Sequence, residues 1–168
     1  DFVAALKRSF GELFPSVAGN PDMVAVVNDR HLARVESYLS DAVQAGARVE
    51  CAPAPLAADA AGRRRPLSIV IDPPQGAKIM QEEIFGPAVV VKAYDAIDAV
   101  IADINFRPRP LALYYFGEDE AEQQRVLEHT LSGGVTINEA MFHAAMEDAP
   151  FGGVGDSGMG HYHGREGF

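Results

Sequence analysis

Apolar residues recur every three or four positions in two early stretches of the chain, which predicts two amphipathic helices. Over residues 1–14 they are Phe2, Val3, Leu6, Phe10 and Leu13, and Pro15 follows as a stop. After a Pro/Gly/Asn turn at residues 19–21, residues 28–45 carry Leu32, Val35, Leu39 and Val43 on one helical face, with Gly46 where a C-terminal cap belongs. Alternation then replaces the helical period. Val49 and Cys51 sit between charged neighbours over residues 48–52, and residues 67–71 are a second short strand ended by Asp72, Pro73 and Pro74. Residues 52–66, rich in Ala, Pro and Arg without period, read as an exposed loop.

The second half alternates in type: strand 88–93, helix 96–105 with Asp95 as its N-cap, strand 111–116, helix 119–130, strand 135–138. Strands joined through helices need crossovers, and crossovers build parallel sheets covered by helices. The fold class predicted is therefore α/β, a mostly parallel sheet flanked by helices, in one domain. From Gly133 onward glycine is too frequent for a long helix, so the end of the chain should be a structured loop region. Such loops commonly carry the ligand contacts of an α/β scaffold.

Composition narrows the functional classes. At 168 residues, 48% apolar and 23% charged, the chain can bury a real core. Its net charge of -10 opposes binding to nucleic acid or to anionic lipid. Arg63, Arg64 and Arg65 form the only basic cluster and read as a solvated loop. No apolar run approaches the roughly 18 to 20 residues that span a bilayer, and no signal-peptide succession opens the sequence, so a cytoplasmic location is expected. The single cysteine, Cys51, cannot form an internal disulfide and should be a small strand side chain.

Three patterns could carry chemistry. Gly153, Gly155 and Gly158 satisfy G-x-G-x-x-G, but Pro150 and Phe151 precede them and Gly160 soon follows, so the strand and helix that a phosphate cradle needs are missing. His161 and His163 lie two apart, and His143, Asp156 or Glu166 could complete a metal site, yet no ligand-spacing motif supports one, and structural histidines are the commoner outcome. Glu82 and Glu83 adjoin Ile84, Phe85, Gly86 and Pro87. Adjacent acids in a turn usually face water, but a carboxylate can also accept from two neighbouring ribose hydroxyls, and Phe85, two residues on in an extended backbone, would point to the same side as Glu83.

Met80-Gln81-Glu82-Glu83-Ile84-Phe85-Gly86-Pro87 resembles the E-E-x-F-G-P box of the aldehyde dehydrogenases. Ser132-Gly133-Gly134-Val135-Thr136-Ile137-Asn138, Pro150-Phe151-Gly152-Gly153 and Ser157-Gly158-Met159-Gly160 resemble that family's C-terminal block, in the same order. Arg109-Pro110-Leu111-Ala112-Leu113-Tyr114 and Tyr162-His163-Gly164 look more like the class 3 and coniferyl aldehyde branch. The resemblance covers essentially the whole chain and implies the C-terminal portion of a catalytic domain whose parent oxidises an aromatic or long-chain aldehyde to the acid with NAD or NADP, as a homodimer. It implies that Glu83 holds the nicotinamide ribose hydroxyls, that Phe85 packs beside the nicotinamide, and that His31 and Arg34 lie near the cofactor. Phe151, Asn138, Phe142 and His143 would wall the aldehyde tunnel.

The nucleophilic cysteine, the general-base glutamate and the oxyanion-hole asparagine of that family would precede Asp1, so no catalytic residue is assigned here and the chain alone should be inactive. Cys51 is no substitute, because its surroundings lack the family's Gly-Gln-x-Cys. Two rivals remain: a non-catalytic ligand-binding or interaction module of dehydrogenase descent, and a metal-dependent hydrolase built on His143, His161, His163 and Asp156.

Overall fold

The computed structural model describes residues 1–18, 20–53 and 62–168. The chain divides into two compact units, Asp1–Ala93 and Tyr94–Phe168. Gly19 in the expected turn, and residues 54–61 of the expected exposed loop, lie outside the described residues.

In the first unit, helices α1 (Phe2–Leu13) and α2 (Asp29–Gln44) precede strands β1 (Arg48–Ala52), β2 (Leu67–Ile71) and β3 (Ala88–Val91). The Asn28 side chain caps α2 by accepting from His31 N at 2.9 Å. Gly46, at φ +96, ends it: its N–H reaches Val43 O and that of Ala47 reaches Ala42 O, the paired bonds of a Schellman turn. The buried residues of α2 are Leu32, Val35, Tyr38 and Ala42. The expected face is thus rotated, with Val43 54% exposed, because the stripe that meets the sheet runs through Tyr38 and Ala42. On α1 Val3, Leu6 and Phe10 are only half-buried and Phe2 and Leu13 are exposed, while Lys7 ties the helix to Glu50 of β1 at 2.7 Å.

β1 pairs antiparallel with β2, Arg48 opposite Ile71 and Ala52 opposite Leu67, and β2 pairs in parallel with β3, Ser68 opposite Ala88. β2 is the central strand and is apolar on both faces, so Ile69 and Val70 are fully buried. Each contributes roughly 2 kcal/mol by leaving water. Cys51 sits half-buried in β1, its Sγ 4.0 Å from Ser68 Oγ, as a strand side chain.

Arg63, Arg64 and Arg65 lie in a loop, as expected, but their guanidinium groups are bonded to the protein rather than left to solvent. Arg64 Nε donates to Met23 O at 2.8 Å, Arg63 Nη1 to Val27 O at 2.6 Å, and Arg65 meets Glu36 through Nε and Nη2 at 3.0 and 2.8 Å. Five-donor guanidinium groups satisfy carbonyls that an irregular segment leaves without strand partners.

The second unit holds α3 (Ile97–Phe106), β4 (Ala112–Tyr115), α4 (Glu120–His129), β5 (Gly134–Ile137) and the short α5 (Phe142–Ala145). β4 and β5 pair in parallel, Ala112 opposite Gly134 and Tyr115 opposite Ile137, with α4 as the connection. Ile101, Leu113, Tyr115 and Val126 form the core between helices and strands. Asp95 is not the cap of α3: Ala96 holds that position in extended conformation, with no side-chain bond. Asp119 does cap α4, accepting from the N–H groups of Ala121 and Glu122. β3 and β4 belong to separate sheets, so the strands form two small sheets whose pairings are mostly parallel. The α/β class stands.

After β5 the chain follows loops. Phe151 and Tyr162 form a bridge, exchanging N–H to O bonds of 2.7 and 2.9 Å, and Gly155–Ser157 is a single 3-10 turn. A Cβ on Gly133 would collide with Gly152 O and approach Leu111 O to 2.6 Å, so glycine is required where the loop crosses the strand ends. No helix among the described residues is long and apolar enough to cross a membrane.

Candidate functional site

His31, Arg34, Glu82, Glu83 and Phe85 line one open cavity of about 640 Å³ in the first unit. All four residues expected around a cofactor therefore share one wall, drawn from α2 and from the turn before β3. His31 and Arg34 are one helical turn apart and lie on the same side of α2. Gly86 allows the turn to approach that helix, since a Cβ there would stand 2.6 Å from Val35 Cγ2.

The turn is gripped from α2. Arg34 Nη1 donates to Glu83 O at 2.7 Å and to the Tyr38 hydroxyl at 3.0 Å, and Nη2 donates to Ile84 O at 2.9 Å. The Tyr38 hydroxyl in turn donates to Glu82 Oε2 at 2.5 Å. Arg34 Cζ lies 5.1 Å from the Tyr38 ring centroid, a cation over an aromatic face. Both Nη groups of Arg34 are thus committed to the protein itself.

Glu82 and Glu83 are adjacent carboxylates with different fates. Glu82 is bonded to Tyr38, whereas the Glu83 carboxylate has no hydrogen-bond or ion-pair partner among the described residues. It is exposed at the cavity with both oxygens open, the arrangement that can accept from two vicinal hydroxyls. Phe85 is not extended as expected but left-handed, at φ +49, and still reaches the cavity with its ring 6.1 Å from that of His31. The ring is 61% exposed and offers a flat apolar surface beside the carboxylate. His31 Nδ1 and Arg34 Nε are buried nitrogens without a partner among the described residues. An open carboxylate beside an aromatic plate can accept a ribose carrying a flat ring.

In the second unit the expected tunnel residues divide. His143, half-buried on α5, has its Nδ1 2.9 Å from Thr136 Oγ1 and its ring 5.5 Å from Tyr114 and 5.6 Å from Phe151. Phe151 continues the row to Tyr162 at 5.7 Å, edge-on, and to His163 at 6.3 Å. The result is a wall of tilted and edge-on rings. Phe142 begins α5 and is 59% exposed, outside this row. Asn138, at φ +55, spends its side chain on Gly117, accepting from N at 2.8 Å and donating to O at 3.0 Å, so it holds the end of β5 to the end of β4.

The other motifs resolve structurally. The 3-10 turn at Gly155–Ser157 begins no helix and follows no strand, so the phosphate-cradle geometry is absent there. His161 pairs with Glu166 at 2.7 Å, and among the described residues no three His, Cys, Asp or Glu side chains converge as a metal site would require. Tyr38 and Thr136 are the residues that sequence reasoning passed over, and Glu82, noted beside Glu83, had no separate role in it. Tyr38 stands four positions after Arg34, a spacing that could have marked it.

A family model described as "Aldehyde dehydrogenase family" matches residues 1–168. A "Probable coniferyl aldehyde dehydrogenase" of Pseudomonas aeruginosa is 49% identical over 168 residues, covering 100% of this chain and 34% of its own. The "Aldehyde dehydrogenase, dimeric NADP-preferring" of Rattus norvegicus is 35% identical, over 99% of this chain and 35% of its own. Among solved structures, the substrate-bound Staphylococcus aureus AldH superposes with a TM-score of 0.80 at 35% identity, over 99% of this chain and 35% of that one. The chain spans about a third of the length of the relatives it matches.

Proposed function

Because the chain belongs to the aldehyde dehydrogenase family, we propose that it is the C-terminal portion of the catalytic domain of an NAD(P)-dependent enzyme that oxidises an aromatic or long-chain aldehyde to the acid. The observation that carries this reading is the cavity in which the unpartnered Glu83 carboxylate stands beside the exposed Phe85 ring. When bound, the dinucleotide would supply the acceptor for the aldehyde hydride. The protein's part is to hold the ribose hydroxyls with Glu83, to flank the ring with Phe85, and to fix the turn through Arg34. His31 completes the wall.

The row Tyr114, His143, Phe151 and Tyr162 supports an aromatic substrate, because flat rings pack on ring faces and edges and exclude water from the carbonyl. Phe142 would extend this wall, and Asn138 would serve it by fixing the loop that follows β5. A coniferyl-type aldehyde is the substrate class, a cytoplasmic homodimer the expected form. Val24, Val27 and Phe85 remain exposed apolar residues near the cavity in the first unit, which favours a dehydrogenase over a stand-alone binding module with a polar surface there.

The test is aldehyde-dependent NAD(P)H formation. The full-length protein containing this chain should oxidise cinnamyl-type aldehydes, while residues 1–168 alone, with Cys51 held in a strand, should give no turnover. Absence of turnover by the full-length protein with either dinucleotide would overturn the reading.

A further inference from the structure

Tyr38 is 3% exposed within the core cluster that includes Ala42 and Val70, a place where a phenylalanine ring would fill the same space without a polar atom to satisfy. Its hydroxyl is fully used: it accepts from Arg34 Nη1 and donates to Glu82 Oε2 at 2.5 Å. A hydroxyl buried between a guanidinium and a carboxylate makes charge-assisted bonds, the stronger kind. Those bonds end on the turn that carries Glu83 and Phe85. Glu82 has no role at the ribose in the reading above, and its side chain is an anchor point on the residue just before Glu83.

We infer that Tyr38 is a positioning residue for the dinucleotide, acting through Glu82 to fix the turn from which Glu83 reaches the ribose. The inference rests on the cavity being the cofactor site. Arg34 holds the carbonyls of Glu83 and Ile84, and the Glu82 N–H donates to Lys78 O at 3.2 Å, so these bonds fix the backbone of the turn and none of its side chains. The Tyr38 to Glu82 bond adds a side-chain anchor to these backbone bonds, so the Glu83 carboxylate is held ready rather than ordered on binding.

The experiment is a titration of the full-length protein with NADH and with NADPH, followed by fluorescence, on the variants Tyr38→Phe, Glu82→Ala, Glu82→Gln, Glu83→Gln and the Tyr38→Phe/Glu82→Ala pair. Loss of the Tyr38 to Glu82 bond should weaken binding about tenfold in Glu82→Ala, and at least as much in Tyr38→Phe, which also removes the acceptor of Arg34 Nη1. The double variant should be no weaker than Tyr38→Phe alone, since the clasp to Glu82 is already lost there. Glu82→Gln, whose amide oxygen still accepts from Tyr38, should recover most of the affinity.

Wild-type affinity in Tyr38→Phe and Glu82→Ala, or losses that add in the double variant, would overturn the inference while leaving the cavity's role intact, provided Glu83→Gln is weakened. An unweakened Glu83→Gln would remove the cofactor site itself and this inference with it. Should Tyr38→Phe fail to fold, the exposed Glu82 pair of variants decides alone.

Discussion

Thr136 Oγ1 and His143 Nδ1 are joined at 2.9 Å, so a strand residue of β5 sets the orientation of the imidazole that packs between Tyr114 and Phe151. Thr136→Val keeps the β-branched shape and removes only the hydroxyl. The variant should lose about 1 kcal/mol in denaturant unfolding. In the full-length protein it should raise KM for an aromatic aldehyde while leaving dinucleotide affinity unchanged. An unchanged KM would separate His143 from the substrate wall.

Gly134 gives a second handle on the same ring, because a Cβ there would stand 2.8 Å from His143 Cδ2. Gly134→Ala should displace the imidazole and cost about 1 to 3 kcal/mol, the usual range for overpacking. Thermal unfolding reads the cost. A near-neutral result would mean that the ring moves aside without resistance.

Asn138 separates backbone strain from hydrogen bonding. Asn138→Ala loses both bonds to Gly117 and places a Cβ at φ +55, whereas Asn138→Gly loses the bonds but not the conformational freedom. The alanine variant should be the less stable of the two by about 1 kcal/mol. Equal midpoints in urea would show that backbone conformation contributes nothing there.

Asp98 supplies a pH dependence. The Arg125 guanidinium, bonded to both carboxylate oxygens at 2.5 and 3.0 Å, holds Asp98 below the usual carboxylate range, against a smaller opposing effect of burial. A lowered folded pKa means that the unfolded chain binds the proton more readily, so the stabilisation is complete above the ordinary range and is lost as pH falls through the folded value. Melting curves of the wild type and Asp98→Asn should therefore differ near neutrality and converge in acid. Added salt should shrink the difference, since the pair is exposed.

Much of this was legible in the sequence, for identifiable reasons. The α2 helix was announced by its period and its Gly46 stop, and the strand-helix alternation of the second half gave α/β. Glu83 and Phe85 stood out because their motif is compact in sequence. What stayed hidden depends on distance along the chain: Tyr38 meets Glu82 across 44 residues, and Arg64 meets Met23 across 41. Periodicity reports which face of a helix is apolar, but not where along that face a hydroxyl will find a partner. The rotated face of α2 has the same origin, since Tyr38 and Ala42 are buried in the core with Leu39 half-buried against it, and only packing decided that Val43 stays outside.

Arg34 fastens the turn by main-chain oxygens, those of Glu83 and Ile84, and not by their side chains. Such a grip does not depend on which amino acids occupy those two positions. Variation could therefore exchange the groups offered to a ligand there while the mounting stays in place, which would let one scaffold be tried against many small molecules without being rebuilt.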